Sequence, residues 1–402
     1  MFLKNKNIMF LFLAQLISYC GDSIFNIALP WFLLEVTGSK VQTGLITTSS
    51  YLPALMLGLF AGVFIDKYDH KKIMLISDFF RFTLLLMIPI SIKFNFFSIP
   101  FIGCIIFSMA CFSSLFNPAR DCFIPHIVSG DNLPNVNSLI IVSGQIAQII
   151  GPIFAGIGLS FFGLIHLFTI DAMSFLISMI MILLIVRSDK KIRKKENISS
   201  LIGIKEGLLY VKKNSGLIML LFVTFYNNLF IMGPAYMGLV IFVRDVLLED
   251  MFVFALLETF MGLGMVLGSI IFPLLMKKIK LVNIFFMGIL IDGLTFSVLF
   301  FIKHYIMAVF ILFLHGIGIP FIILSRTIYI QKSVPDYFRG RIFSMIHMSV
   351  MGTTAISIAV TGILLEFIDA NLLFLLIGLF ASSSIIIGLQ TRGFLSLDNN
   401  VN

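Results

Sequence analysis

Apolar runs of about twenty residues alternate with short polar loops along almost the whole chain. A helix needs roughly 20 apolar residues to cross the hydrocarbon core of a bilayer, whereas the strands of a membrane barrel are about half as long and alternate in polarity. The pattern therefore predicts an all-α integral membrane protein whose helices satisfy their backbone hydrogen bonds internally. Twelve transmembrane helices are predicted, near residues 9–34, 41–65, 73–92, 100–117, 138–160, 166–186, 217–243, 251–276, 283–302, 306–328, 341–366 and 371–390.

The composition argues against a soluble protein. Of the 402 residues, 59% are hydrophobic and 12% are charged, and the mean hydropathy is +1.07. A soluble domain contains about 25% charged residues, because charge must cover its surface. The lipid bilayer is therefore the expected partner of most of the outer surface.

The basic residues are distributed loop by loop and predict the orientation. If the N-terminus is cytoplasmic, the outer loops hold only Lys40, Lys93, Arg244 and Lys303, and the other lysines and arginines lie at or near the cytoplasmic side. This is the bias of the positive-inside rule, so both termini are predicted to be cytoplasmic. The net charge of +8 is then a topology signal, and no nucleic-acid partner is expected.

One long polar interruption, residues 187–216, separates six predicted spans from six. Its basic character predicts a cytoplasmic linker beside anionic lipid headgroups. The predicted domains are a six-helix bundle at 1–186, this linker, a second six-helix bundle at 217–390 and a cytoplasmic tail at 391–402.

An internal repeat is visible at a single offset of 206 residues. This offset relates Gly62 to Gly268, Lys71 and Lys72 to Lys277 and Lys278, Val128 to Val334, and Asp22 to Asn228. Two parallel six-helix repeats are typical of a rocking transporter, whose substrate site lies between the repeats near the membrane midplane.

The loop between the second and third spans combines a small residue with alternating charges. It reads Gly62-Val-Phe-Ile-Asp66-Lys67-Tyr-Asp69-His70-Lys71-Lys72. Gly62 permits close helix approach, and Asp66 can accept hydrogen bonds from a neighbouring helix N-terminus. The lysines can pair with the two carboxylates or with lipid phosphate. The alternative is a generic basic loop retained only for topology.

This loop resembles the signature loop of the major facilitator superfamily, in which a Gly is followed after three residues by Asp, a basic residue and a further basic cluster. Asp69 stands where most of that superfamily has a second Gly, and this variant is similar to the branch of macrolide-efflux proteins and enterobactin exporters. Asp78 and Arg81, just inside the third span, extend the similarity. The resemblance implies a monomer in the bacterial inner membrane, without a cofactor, and a loop that closes the cytoplasmic side of the outward-facing state.

Two further segments resemble the same branch. The segment 331–343 contains Pro335, Arg339, Gly340 and Arg341, and its first-half counterpart is the stretch from Ala119 and Arg120 to Pro125. Pro335 and Gly340 are expected to shape a turn, and the two arginines to meet acidic residues of the opposite half. Gly151 and Pro152 in span five resemble the Gly-Pro motif of facilitator exporters, although ordinary close packing explains the pair equally well.

Asp22 is the best candidate for a carboxylate that exchanges protons for substrate. It lies within span one with Asn26 one turn further on, and its repeat counterpart Asn228 is preceded by Tyr226 and Asn227. A charge at mid-bilayer costs roughly 2.5–3.5 kcal/mol on insertion scales, so each such residue needs a reason. The alternative role for Asp22 is structural, as the cap of an internal break in the helix.

Three other acidic residues fall within predicted spans. Glu258 in span eight is the second candidate, with a cavity role and an interhelical hydrogen bond left open. Asp171 and Asp292 fall on helices that form an outer scaffold in the superfamily, which implies structural pairing with a polar neighbour.

The sequence thus predicts a secondary active transporter and not an enzyme. It contains no GxxxxGK[ST] motif and no Cys/His metal spacing, so no cofactor, metal or ATP is expected. By resemblance, it exports a small amphipathic molecule, a drug such as a macrolide or a siderophore, by alternating access in exchange for protons. A passive channel, a lipid scramblase and an importer of a small solute are the alternatives.

Overall fold

The structure is a computed structural model, and it describes residues 5–57, 65, 68–128, 133–186 and 200–390. Within these residues the secondary structure is helical, without strands. The helices, in chain order, are α1 (Lys6–Thr37), α2 (Lys40–Ser49), α3 (His70–Lys93), α4 (Ile99–Phe123), α5 (Leu133–Phe162), α6 (Leu164–Leu184), α7 (Ser200–Lys212), α8 (Ser215–Gly233), α9 (Met251–Met276), α10 (Leu281–Leu299), α11 (Tyr305–Ser333), α12 (Asp336–Phe367) and α13 (Ala370–Gln390).

The all-α membrane architecture is confirmed. Ten of the described helices are long and apolar enough to cross a membrane, and Ala370–Ile385 is a shorter apolar helix. The predicted count of twelve stays a prediction, since the second predicted span, 41–65, runs through residues 58–64, which lie outside the described part. Beyond α8, the chain continues as a helix with two wider π-helical segments, Pro234–Gly238 and Phe242–Val246.

Polar residues at the loop ends fix where several spans begin. The side chains of Asp69, Asn214 and Asp250 accept hydrogen bonds from backbone N–H groups in the first turns of α3, α8 and α9. These N–H groups have no partner within the helix, so each cap stabilises its helix by about 1 kcal/mol. Gly38 ends α1 with a left-handed backbone, φ 62°, which glycine adopts without a Cβ clash.

The contacts divide the chain into two compact units. The first unit comprises Met1–Gly38 and Ser49–Glu196, and the second comprises Ser39–Thr48 and Asn197–Asn402. In the first unit, α1 packs on α5 and α6, and α3 packs on α4 and α6. In the second unit, α8 packs on α12 and α13, and α10 packs on α11 and α13. These are the same four pairings after the 206-residue offset. The predicted domain boundaries stay a prediction.

Within the second unit, small residues let helix backbones touch. A Cβ added at Gly264 of α9 would overlap the carbonyl oxygen of Phe313, and one added at Gly316 of α11 would overlap the carbonyl oxygen of Met261. Membrane helices associate through such close van der Waals packing, because lipid provides no hydrophobic force between them.

Helix α2 belongs to the second unit by its contacts, although the chain order places it after α1. Gly44 faces Gly362 of α12, where a Cβ on Gly44 would lie 3.0 Å from the Gly362 Cα. The Thr48 hydroxyl donates to the Ala355 carbonyl at 3.2 Å. The Lys40 ammonium lies 2.9 Å from the Asp245 carboxylate.

Candidate functional site

The first unit contains a buried guanidinium that two carboxylates share. Arg81 of α3 donates from Nη2 to Asp22 Oδ1 of α1 at 2.7 Å, and its Nη1 lies 3.6 Å from Asp78 Oδ1. Its guanidinium also lies 3.8 Å from the ring centroid of Phe175 in α6. The Arg81 side chain is 5% exposed whereas that of Asp22 is 37% exposed, so Asp22 is the more accessible member of this pair.

A third carboxylate, Asp171 of α6, completes what we call the acidic cluster: Asp22, Asp78, Arg81 and Asp171. Ser174 donates to Asp171 Oδ1 at 3.2 Å, and Asp171 Oδ2 has no partner among the described residues. Asp171 interacts electrostatically with both Asp22 and Arg81. A side chain at Gly21 would overlap Asp171 Oδ1, so this glycine makes the approach of α1 to α6 possible.

With all three carboxyl groups ionised, the acidic cluster would carry a net negative charge. One guanidinium balances one of three carboxylates, and the remaining polar contact to Asp78 is a hydrogen bond from Ser178 at 2.7 Å. Ionised groups without counter-charges are expensive in apolar surroundings. The arrangement therefore suits the binding and release of protons or of a cation.

Other predicted first-half residues lie around α1. Asn26 is exposed, one turn beyond Asp22. Gly151 of α5 packs against Ser23, where a Cβ would overlap the serine side chain, and Pro152 is buried beside it. The Gly-Pro pair thus lies at a close contact between α5 and α1, next to the acidic cluster.

The second unit contains a polar cluster between α8, α10 and α11. Asn227 Nδ2 donates to Asp292 Oδ2 at 3.3 Å, and His315 Nδ1 lies 3.6 Å from Asp292 Oδ1. Thr295 Oγ1 is 3.0 Å from the same His315 nitrogen. All four residues are buried. Asp292 therefore has the polar neighbours that a structural role requires.

The three consecutive polar residues of α8 point in different directions, because neighbours on a helix diverge by about 100°. The Tyr226 hydroxyl lies 3.1 Å from Ser383 Oγ of α13, and Asn227 faces Asp292. Asn228 is buried, and its Nδ2 has no partner among the described residues. The three residues do not form one polar surface.

Glu258 of α9 is half-buried, and no hydrogen bond or ion pair involves it within the described part of the chain. The interhelical hydrogen bond that the sequence left open is therefore absent there. Its carboxylate remains available for a ligand or a proton.

The signature loop is described only in part. Gly62, Asp66 and Lys67 lie outside the described residues. Asp69 caps α3 by accepting from the backbone N–H groups of Lys71 and Lys72. Lys71 Nζ donates to the carbonyls of Leu183 and Ile185, at 3.0 and 2.8 Å, and so neutralises the negative end of α6. Lys71 thus binds backbone carbonyls, a kind of partner that the sequence does not predict for it. Lys72 is exposed.

The arginines of the second segment have partners within their own unit. Arg339 Nη2 donates to the carbonyls of Gln331 and Val334, at 2.6 and 3.2 Å, at the end of α11. Arg341 Nη1 donates to Glu206 Oε2 of α7 at 2.7 Å. Contacts of these arginines with acidic residues of the opposite half, which the sequence favours, stay a prediction. Pro335 immediately precedes α12, and Gly340 lies inside that helix.

Two further arginines, Arg120 and Arg326, lie in helices of the two units and are not among the site residues that the motifs predict. Arg120 lies in α4, is 8% exposed, and donates to Gln15 Oε1 of α1 at 2.7 Å and to the Tyr19 hydroxyl. The repeat offset of 206 relates Arg120 to Arg326 in α11. That relation was available in the sequence and is the signal that would have found Arg326.

The fold, the repeat and the charged motifs can now be compared with known proteins. A family model described as "Transmembrane secretion effector" matches residues 2–400. The chain belongs to the major facilitator superfamily. It is a membrane transporter rather than an enzyme, and transporters of this superfamily handle small molecules. Within the described residues there is no group of three or more metal-binding side chains.

Curated relatives of this major facilitator protein include efflux proteins. The staphyloferrin A transporter of Staphylococcus aureus is 26% identical over 350 residues, which cover 84% of this chain and 85% of the relative. Macrolide efflux protein A of Streptococcus pyogenes is 24% identical over 373 residues, covering 91% of each.

Solved structures agree on the fold. The nucleoside transporter NupG superposes with a TM-score of 0.79 at 14% identity, covering 97% of this chain and 99% of NupG. A bacterial homologue of ferroportin in an inward-facing state gives a TM-score of 0.75 at 15% identity, covering 99% of each chain.

Proposed function

We propose that this transporter exports a small amphipathic molecule, a drug such as a macrolide or a siderophore, by alternating access in exchange for protons. It would act as a monomer in the bacterial inner membrane with both termini in the cytoplasm. The name of macrolide efflux protein A supports export, and the name of the staphyloferrin A transporter supports a siderophore as one substrate class. The exporter-like motifs at Gly151–Pro152 and 331–343 support the same direction.

The observation that supports proton exchange most strongly is the sharing of Arg81 in the acidic cluster. Asp22 holds the guanidinium at 2.7 Å, and Asp78 lies 3.6 Å from it. A proton bound to Asp22 removes the charge that attracts Arg81, so the guanidinium gains by moving towards Asp78. Because Asp22 is on α1 and both other residues are on α3, protonation changes the force between these two helices. Proton binding at the accessible carboxylate is thereby linked to helix movement.

The test is Asp22→Asn, which keeps the size of the side chain and removes its titratable charge. Purified protein is reconstituted into liposomes, a pH gradient is imposed, and uphill accumulation of radiolabelled erythromycin is measured. We expect uphill transport to fall by at least about 10-fold, because asparagine cannot bind and release the exchanged proton. A 10-fold fall corresponds to about 1.4 kcal/mol. Expression and thermal stability should stay close to wild type.

The matched control is Glu366→Gln, which removes a carboxylate from an exposed position near the end of α12. It should pump at the wild-type rate. Full pumping by Asp22→Asn would remove Asp22 from the coupling role. Wild-type flux that continues unchanged after the gradient is collapsed would favour a passive route over antiport.

The substrate class is tested in cells. Spent media of parent and deletion strains grown under iron limitation are compared by mass spectrometry. An iron chelator that is missing from the medium and accumulates inside the deletion strain identifies a siderophore exporter. Identical media favour drug efflux, with macrolides as the first compounds to test.

A further inference from the structure

We propose that Arg326 binds an anionic group, a carboxylate or a phosphate, of the transported molecule. This inference rests on the proposed transport function and narrows its substrate to molecules with an anionic group, which favours a siderophore with carboxylates over a macrolide without one. The site lies within the second unit, on α11, and is separate from the acidic cluster of the first unit.

Arg326 is a charged residue well before the end of an apolar helix, so its position calls for a structural or functional explanation. It is seven residues before the end of α11 at Ser333, which is about 10 Å at 1.5 Å per residue. The surrounding helix is one of the apolar spans. Placing a charged side chain within the apolar part of a membrane helix is costly, most of all towards the helix centre. Such a residue persists where it has a partner or a function.

No partner for Arg326 exists within the chain as described: no hydrogen bond, ion pair or ring contact involves it. A guanidinium has five N–H donors. The side chain is half-buried, and Ile323, one turn earlier, is 41% exposed, so the guanidinium lies at the edge of an accessible surface. The neighbouring Ser325 hydroxyl is buried and also unpartnered.

The repeat shows what a satisfied arginine looks like at the same place. Arg120 has Gln15, Tyr19, Asn117 and Asp121 as hydrogen-bond partners. The offset of 206 replaces these four residues by Leu221, Phe225, Ile323 and Thr327, respectively. Three of the replacements are apolar, and the Thr327 hydroxyl donates to the Ile323 carbonyl. The second half thus keeps the arginine and lacks counterparts of the four groups that bind Arg120.

The chemistry of the position selects an amphipathic anion. A planar guanidinium binds carboxylate or phosphate in a bidentate manner, and the exposed side chain of Ile323 provides apolar surface one turn earlier. A lipid phosphate offers the same chemistry. The substrate is favoured because Arg326 lies two turns inside the helix, whereas Lys332 occupies the last turn, where headgroups are reached by long basic side chains.

The experiment compares two probes that differ only in charge, 1-naphthaleneacetate and its amide. Equilibrium dialysis measures the binding of each to the full-length protein in nanodiscs of phosphatidylcholine. We expect the wild type to prefer the carboxylate and Arg326→Gln to weaken its binding by at least about 10-fold, because hydrogen bonds to charged groups are the strong ones. Binding of the amide should be unchanged.

Two further variants test whether the loss of binding is specific to the guanidinium of Arg326. Arg326→Lys keeps the charge without the planar fork and should bind the carboxylate at an intermediate level, which a merely misfolded protein would not do. Arg244→Gln removes another basic residue of the second unit and should bind like wild type. Equal binding of both probes by wild type and Arg326→Gln overturns the anion site.

A second experiment distinguishes the substrate from a lipid headgroup as the source of the anion. Nanodiscs containing phosphatidylglycerol are analysed by native mass spectrometry for lipid that stays bound. Retention of this lipid that depends on Arg326, without carboxylate binding in either membrane, assigns the position to a headgroup and overturns the substrate assignment. Arg326-dependent carboxylate binding in a protein that shows no gradient-driven flux keeps the anion site and rejects proton-driven export. Proton-driven flux of neutral and anionic compounds alike, unaffected by Arg326→Gln, keeps proton-driven export and rejects the anion site.

Discussion

Three membrane arginines of this transporter differ in their hydrogen-bond and ion-pair partners. Arg81 lies between two carboxylates and an aromatic face, and Arg120 is satisfied by side chains of α1 and by Asp121. Arg326 has no such partners within the described residues. A bonded guanidinium holds helices together, whereas an unbonded one is available for a ligand. The same residue type thus has different roles according to the groups that the fold brings to it.

Glycine contacts provide a residue-scale prediction about stability. Gly264→Ala should lower stability by about 1–3 kcal/mol, because the added Cβ would overlap the Phe313 carbonyl oxygen of the neighbouring helix. The midpoint of thermal unfolding, Tm, in detergent measures the effect and should fall by several degrees.

Gly103→Ala is the matched control, since nothing lies within 4 Å of a Cβ at that position in α4. Alanine is a better helix former than glycine, so this variant should unfold at the wild-type Tm or slightly above it. Equal Tm values for Gly264→Ala and Gly103→Ala would show that the backbones of α9 and α11 can separate at no cost.

At the scale of elements, α2 and α7 are short helices that dock on α12 at different places. α2 contacts α12 through Gly44 and Gly362, and α7 contacts it through the ion pair of Glu206 and Arg341. Tyr210 of α7 stacks on Phe338 with ring centroids 4.6 Å apart. The linker helix is therefore fixed to the second unit by side-chain contacts and is not merely a tether.

The docking of α2 predicts a contact that transport must break. Lys40 belongs to the first sequence repeat and Asp245 to the second, and alternating access moves one repeat against the other, so we expect this contact to open during the cycle. Cysteines at Lys40 and Asp245, joined by a cleavable bifunctional thiol reagent, should stop gradient-driven flux, and cleavage of the reagent should restore it. The variant is built in a background in which Cys20, Cys104, Cys111 and Cys122 are replaced by Ser.

The single-cysteine variants treated with the same reagent serve as controls and should transport normally. Undiminished flux in fully crosslinked protein would mean that α2 stays docked throughout the cycle.

At the scale of the whole molecule, the distribution of basic residues predicts the orientation. In the same cysteine-free background, Ser98→Cys in the loop before α4 should react with a membrane-impermeant maleimide in intact cells. Lys278→Cys, in the loop after α9, should react only after permeabilisation, since the positive-inside rule places that loop in the cytoplasm. The opposite labelling pattern would reverse the topology and, with it, the direction inferred for transport.

Much of the fold could be predicted from sequence because span length and loop charge are local properties. The apolar runs fix all-α membrane architecture, and Asp69, Asn214 and Asp250 mark helix starts by their own hydrogen-bonding ability. The family followed from the spacing in the 62–72 loop together with the segments at 151–152 and 331–343.

The candidate site was less predictable. The sequence indicates Asp78 and Arg81 as an extension of the loop motif, Asp22 as a proton-exchanging carboxylate and Asp171 as a scaffold residue, and it does not predict that the four lie together. Their proximity depends on the rotation and depth of α1, α3 and α6. A helix that is apolar on all sides gives little sign in its sequence of which face meets which neighbour.

Repeated membrane crossing, the repeat at an offset of 206 and the motifs of a transporter superfamily can all be read from the amino-acid sequence. Which charges meet is known from the three-dimensional arrangement: Arg81 contacts Asp22, Lys71 contacts the end of α6, and Arg326 has no partner in the described part of the chain. The difference lies in the sequence distance over which each property is set. Hydrophobic length acts within one segment, whereas the pairing of buried charges depends on atoms a few ångströms apart that come from segments distant in sequence.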